Sequence, residues 1–133
     1  MEFNTKYFTD NISKYKDSYS ADRLMEKIKK YGRKAGLKVL YAVLILFYAS
    51  TDKNISLKDR IMIYAALGYF IVPADLIPDA LPLGFTDDLA ALAFVLKTIW
   101  KNLSPGIFAK ARTKLEEWFG PVTDEDISLP GIS

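Results

Sequence analysis

This chain of 133 residues has no cysteine and no histidine. The first absence excludes disulfides, zinc–thiolate sites and thiol nucleophiles. The second removes the commonest general base at neutral pH, the usual Ser–His and Cys–His pairs, and most transition-metal sites. Catalytic options shrink to carboxylates, lysine, tyrosine and hard metal ions. The sequence also lacks a phosphate-cradling glycine loop, a nucleophile elbow, internal repeats and any strand signal of useful strength. Long apolar runs are absent too. The two strongest, Val39–Ser50 and Ile61–Ala74, hold 12 and 14 residues. As helices they reach about 18 to 21 Å, short of a hydrocarbon core of roughly 30 Å. The N-terminal MEFNTKYFTD has no apolar core after a basic start, so it does not read as a cleaved signal peptide, and a cytoplasmic start is the default.

What is present reads as helix. The length suits one domain, and half the residues are hydrophobic, which is high for a soluble domain. Phe8, Ile12, Tyr15 and Tyr19 mark the aromatic face of a first amphipathic helix. Packing in a bundle explains that face better than a cofactor box does. Ser20, with Asp22 in the first turn, caps a second helix that runs through Leu24, Ile28, Tyr31, Ala35 and Val39, with a bend expected near Gly32 to Gly36. Ser56 and Asp59 form a capping signal for a third helix, which Pro73 is expected to end or kink. A fourth apolar helix follows Asp88. Ser104–Pro105 opens a last one, with Phe108, Ala111, Leu115 and Trp118 on one face, and Gly120–Pro121 stops it. The expected fold is all-α: a compact bundle of about five helices, with an irregular Pro/Asp-rich loop between two strongly apolar helices. Residues 1–120 form one helical domain, and 121–133 read as an acidic, polar, mobile tail.

Charge is distributed unevenly. Arg23, Lys27, Lys29, Lys30, Arg33, Lys34 and Lys38 stand against Glu26 alone, a net +6 over that segment, and the apolar VLYAVLILFYAS follows at once. A basic segment beside an apolar one fits the inner face of an anionic membrane, where each Lys or Arg near the surface contributes on the order of 1 kcal/mol. A solvated helix face is the competing explanation. Nucleic-acid binding is disfavoured, because only Tyr31 interleaves a stacking ring with these charges.

The stretch from Gly68 to Asp88, GYFIVPADLIPDALPLGFTDD, places three prolines and four aspartates between the apolar helices and contains no basic residue. Its order is an apolar helix, then Pro73-Ala74-Asp75-Leu76-Ile77-Pro78-Asp79, then Pro82, Gly84 and Asp87-Asp88 leading into a second apolar helix. This order resembles the YkvA-like domain of unknown function, over about Leu57 to Trp100. The resemblance implies a small α-helical domain, often membrane associated, and supplies no activity. Read on their own, Asp75 and Asp79 accept backbone hydrogen bonds at turns around Pro78, while Asp87 and Asp88 cap the following helix. The alternative is that the four carboxylates converge. They would then need a counter-charge, for which Arg60 is the protein candidate and Mg²⁺ or Ca²⁺ the ionic one.

Three functions are compatible with these features. The first is a non-catalytic module that meets anionic lipid through Arg23–Lys38, peripherally or as a short integral hairpin on the cytoplasmic side of a membrane, with the Pro/Asp loop holding two helices in register and no cofactor. The second is a soluble interaction domain or homo-oligomer. The third is an enzyme using Mg²⁺ or Ca²⁺ at Asp75, Asp79, Asp87 and Asp88, against which the sequence lacks the third aspartate of a D-D-x-x-D motif.

Overall fold

The computed structural model describes residues 5–76 and 91–129, and side chains at 5, 29–35 and 72–76 lie outside that description. Among the described residues there are seven α-helices and no strand: α1 (Thr5–Asp10), α2 (Ile12–Ser18), α3 (Ala21–Ala35), α4 (Leu37–Ser50), α5 (Leu57–Leu76), α6 (91–99) and α7 (Pro105–Phe119). A 3-10 turn, Trp100–Asn102, joins α6 to the short connection before α7.

Five expected helices become seven because two are broken. The first breaks at Asn11, whose backbone leaves the helical region at φ −117° and ψ 24°. Its side-chain amide donates to the carbonyl of Tyr7 at 2.8 Å, which stabilises the turn. The second breaks at Gly36, where φ is +91°, a left-handed conformation that a residue with a Cβ adopts at a cost. Gly32 stays inside α3. The caps behave as their sequence signals predict at two starts: Ser20 Oγ accepts from the Arg23 N–H at 3.1 Å and Ser56 Oγ from the Asp59 N–H at 3.1 Å. Ser104 stands at the predicted start of α7 without a side-chain cap; its carbonyl accepts the Ile107 N–H at 3.1 Å instead.

Pro73 does not end α5. The helix runs on to Leu76, although a proline there cannot donate to the carbonyl of Tyr69 one turn back. Packing along most of α5 compensates, since the helix lies against α2, α3 and α4, burying Ile63, Ala65, Ala66, Leu67, Phe70 and Ile71.

The core is centred on α4. From Val39 to Leu46 every residue is buried, because α3, α5 and α7 cover it from different sides. A helix apolar all round is stable only when enclosed. The aromatic face of α1 and α2 closes the other side of α5: Tyr15 meets Tyr69 at 5.0 Å between ring centroids and Phe8 at 5.9 Å, and Phe8 reaches Phe94 of α6 at 6.0 Å. Here α2 crosses α5 at Gly68. A Cβ at that position would lie 1.7 Å from the Tyr15 carbonyl oxygen, so only glycine permits the crossing.

The described residues beyond α7, 120–129, pack onto the bundle. After Gly120, at φ +83°, the chain buries Val122, Ile127 and Leu129. Arg112 holds the turn, donating to Asp124 Oδ1 at 2.6 Å and to the Val122 carbonyl at 2.7 Å. Glu116 accepts the Val122 N–H at 3.1 Å, and Thr123 and Asp126 exchange side-chain-to-backbone bonds at 3.0 and 3.1 Å. Acidic residues make the segment look solvated; three apolar residues among them and one arginine on α7 are enough to dock it.

Candidate functional site

The Pro/Asp stretch begins inside the last turns of α5. Pro73 and Asp75 are helical in backbone, while the Asp75 side chain and the whole of Pro78, Asp79, Pro82, Gly84, Asp87 and Asp88 lie outside the described residues. Among the described residues no group of three or more His, Cys, Asp or Glu gathers to hold a metal ion.

Arg60, the candidate counter-charge, lies far from the Asp75 backbone along α5. It sits in the first turn of α5, fifteen positions before Asp75, so the two backbones are about 22 Å apart along one continuous helix. Its guanidinium turns the other way, donating to the carbonyls of Asp52 at 2.9 Å and Ile55 at 3.3 Å. It thereby fixes the α4–α5 connection, which presents unsatisfied carbonyls after α4. Its buried Nε has no hydrogen-bond partner among the described residues. The neighbouring Asp59 accepts from the Asn102 side chain at 2.8 Å, which ties the start of α5 to the end of α6.

The basic segment is divided by its own burial. Leu24 and Ile28 are buried in the core, which fixes the rotation of α3. Arg23 and Lys38 are exposed at its two ends. Lys29, Lys30, Arg33 and Lys34 belong to the described helix, but their side chains do not belong to the description. Lys27 departs from the expectation that it meets lipid headgroups. It is only 5 % exposed and its ammonium lies 4.0 Å from the centre of the Phe70 ring, a cation–π contact in a partly desolvated position. Helical periodicity already carried this signal, since position 27 lies beside 24 and 28, which are buried. Phe70 stands about two turns before the end of α5.

Two buried tyrosines, Tyr15 and Tyr41, and the half-buried Tyr19 are weaker acids than an exposed tyrosine. Burial raises Tyr15, Tyr19 and Tyr41 above the ordinary value of 10.0. Tyr7 adds to the effect at Tyr15 and Tyr64 at Tyr19, whereas Arg112 opposes it at Tyr41. All three remain neutral phenols through the physiological range, so none is poised as a general base.

These features define an all-α domain in which two apolar helices are covered by amphipathic ones and joined through the Pro/Asp stretch. No helix among the described residues is long and apolar enough to cross a membrane. Residues 59–94, from the first turn of α5 into α6, match the model of a family described as a protein of unknown function (DUF1232). The YkvA-like resemblance is consistent with that match, which brackets Pro73 to Asp88 on both sides. No curated protein matches the chain, and no solved structure does.

Proposed function

We propose that this domain is a non-catalytic helical module that associates peripherally with an anionic membrane surface on its cytoplasmic side, using the basic segment from Arg23 to Lys38, on α3 and the first turn of α4. The observation that carries the proposal is the orientation of α3. Leu24 and Ile28 commit one side of the helix to the core, and Arg23 and Lys38 are exposed at the ends of a segment with seven basic residues and one glutamate. With Lys27 buried, the segment carries six other basic residues in sequence. At roughly 1 kcal/mol each near an anionic leaflet, even half of them would hold the domain there at low salt, and screening over a Debye length of about 8 Å would weaken the attachment at physiological ionic strength.

Peripheral contact suits the molecule better than insertion. The apolar run that makes α4 look like a membrane segment is consumed by the core, where Val39 to Leu46 are all buried. Insertion would require α3, α5 and α7 to release it. The Pro/Asp stretch then serves to connect α5 and α6, and its role in register is part of the same proposal.

The experiment is co-sedimentation of the whole chain with phosphatidylserine-containing vesicles and with purely zwitterionic ones, at 25 mM and 500 mM salt on the order of the Debye limits above. Binding to the anionic vesicles that is lost at high salt supports the proposal. Equal binding to both, or none to either, removes it.

A second reading, a protein-interaction domain, is supported by a different place. Trp118 and Phe119 at the end of α7 are 40 % and 37 % exposed, and tryptophan is enriched where partners dock. A concentration-dependent mass in light scattering that Trp118→Ser abolishes would favour it over membrane contact.

A further inference from the structure

We propose that the C-terminal segment, residues 121–129, is exchanged between two copies of this chain, so that each copy's segment docks on the other's α4 and α7. This deepens the protein-interaction reading of Trp118 and Phe119 by naming a second copy as the partner and a reciprocal dimer as the assembly. The docking surface is defined by the segment that fills it. Val122, Ile127 and Leu129 are the buried anchors, and the last two stand beside Tyr41 of α4, Trp100 of the 3-10 turn and Phe108 of α7. Arg112 donates to Asp124 Oδ1 at 2.6 Å and to the Val122 carbonyl at 2.7 Å, while Glu116 accepts the Val122 N–H at 3.1 Å. The turn inside the segment is its own, closed by the two bonds between Thr123 and Asp126. None of these contacts depends on which copy supplies the segment, and that is the condition for exchange at low cost.

The connection fixes where two copies would meet. Only Gly120 and Pro121 separate the end of α7 from Val122. Gly120, at φ +83°, is free to rotate and swing the segment away without disturbing α7, and short hinges of this kind invite exchange. Two residues reach about 7 Å, so a segment docked on the partner must start from an α7 end lying against the partner's α7 end. That is where Trp118 and Phe119 are 40 % and 37 % exposed. In the exchanged pair the rings of both copies come together at the hinge, in the self-complementary arrangement of a two-fold dimer. Exchange therefore adds ring burial to contacts that the single chain already makes. The clamp is a pair of opposite charges, Arg112 on α7 and Asp124 on the segment, so the fit between copies is also one of charge.

That clamp makes the test direct. In an Arg112→Asp chain, or in an Asp124→Arg chain, like charges face each other both within a chain and between identical copies. In an equal mixture of the two, exchange pairs opposite charges at both clamps: the introduced carboxylate meets the introduced arginine, and native Arg112 meets native Asp124. Light scattering should therefore give the mixture twice the single-chain mass at concentrations where each variant alone keeps one. The parent should gain mass with concentration, and Trp118→Ser should remove that gain. A mixture that keeps the single-chain mass, while far-UV circular dichroism shows both variants folded, overturns the exchange; a parent that still gains mass then leaves the interaction reading standing without it. If either variant is unfolded, energy transfer decides. The chain has no cysteine, so Ser128→Cys chains bearing a donor are mixed with Lys110→Cys chains bearing an acceptor, both positions being exposed. Transfer between copies that saturates at the efficiency found within one chain carrying both labels supports exchange, and weaker or absent transfer overturns it.

Discussion

Replacing Gly68 by alanine sets helix propensity against packing, and the structure decides which prevails. In an exposed helix interior the change would stabilise by roughly 1 kcal/mol, because glycine loses more backbone freedom on folding. At this position the new Cβ would sit 1.7 Å from the Tyr15 oxygen and 2.7 Å from its carbonyl carbon. Both atoms are backbone, so no rotamer change relieves the overlap, and α2 must move away by more than an ångström to restore contact at van der Waals distance. That movement separates Tyr15 from Tyr69, now 5.0 Å away between centroids, and disturbs Phe8, which is fully buried. Overpacking of this kind costs about 1 to 3 kcal/mol and occasionally more, and displaced aromatic pairs add about 0.5 to 1.5 kcal/mol each. After subtracting the propensity gain, the net loss should be about 1 to 3 kcal/mol. Urea unfolding followed by far-UV circular dichroism reads it as a midpoint lowered by about 0.5 to 1.5 M, for a slope near 2 kcal/mol/M. Near-UV dichroism should weaken as the tyrosines lose their fixed packing. A variant as stable as the parent, or more so, would refute the crossing of α2 over α5 at Gly68.

Other outcomes follow from named groups. Lys27→Met should leave binding to anionic vesicles unchanged, because Lys27 lies against Phe70 inside the bundle, whereas Arg23→Gln with Lys38→Gln should weaken it severalfold; equal effects would contradict the assigned orientation of α3. Alkaline pH should unfold the domain early: Tyr15, Tyr19 and Tyr41 have folded-state values raised by burial above 10.0, so their contribution is fully present below pH 10 and falls as the pH rises through those raised values. Denaturation midpoints measured from pH 9 to about pH 12 test this, and a flat profile would be inconsistent with tyrosine burial. Calorimetric titration with Mg²⁺ and with Ca²⁺ should give no saturable heat, and Asp79→Asn should lower stability equally with and without either ion; saturable binding lost in Asp79→Asn would make the aspartates ligands.

The local signals in this sequence were the readable ones. Ser20 and Ser56 announce helix starts because a cap needs only four consecutive positions, and both bonds form. The aromatic face of Phe8 and Tyr15 announces burial because its spacing follows the helical repeat on both sides of the break at Asn11, and both side chains are buried. Effects that depend on a distant partner were not readable in the same way. Nothing near Gly68 in sequence indicates that the Tyr15 backbone passes over it. Pro73 is an interior helix residue because tertiary packing on α2, α3 and α4 prevails over its local preference. The acidic composition of 121–129 points to solvent, while Arg112, outside that segment, holds it down. For the candidate site the division is similar. The Pro/Asp pattern is distinctive enough to carry the family resemblance, and residues 59–94 match a family model. Neither pattern nor match names a reaction, because turn-forming aspartates and ion-binding aspartates have the same local sequence chemistry.

Fractionation of native cells tests the membrane proposal most directly. Membranes are isolated and washed first with high salt and then with alkaline carbonate, and the protein is followed through each step. Release at the salt step is the predicted result, since the attachment is electrostatic and α4 stays within the core. Retention through the alkaline wash would mean that apolar helices enter the bilayer, and recovery wholly in the soluble fraction at low salt would mean that the basic helix does not bind it.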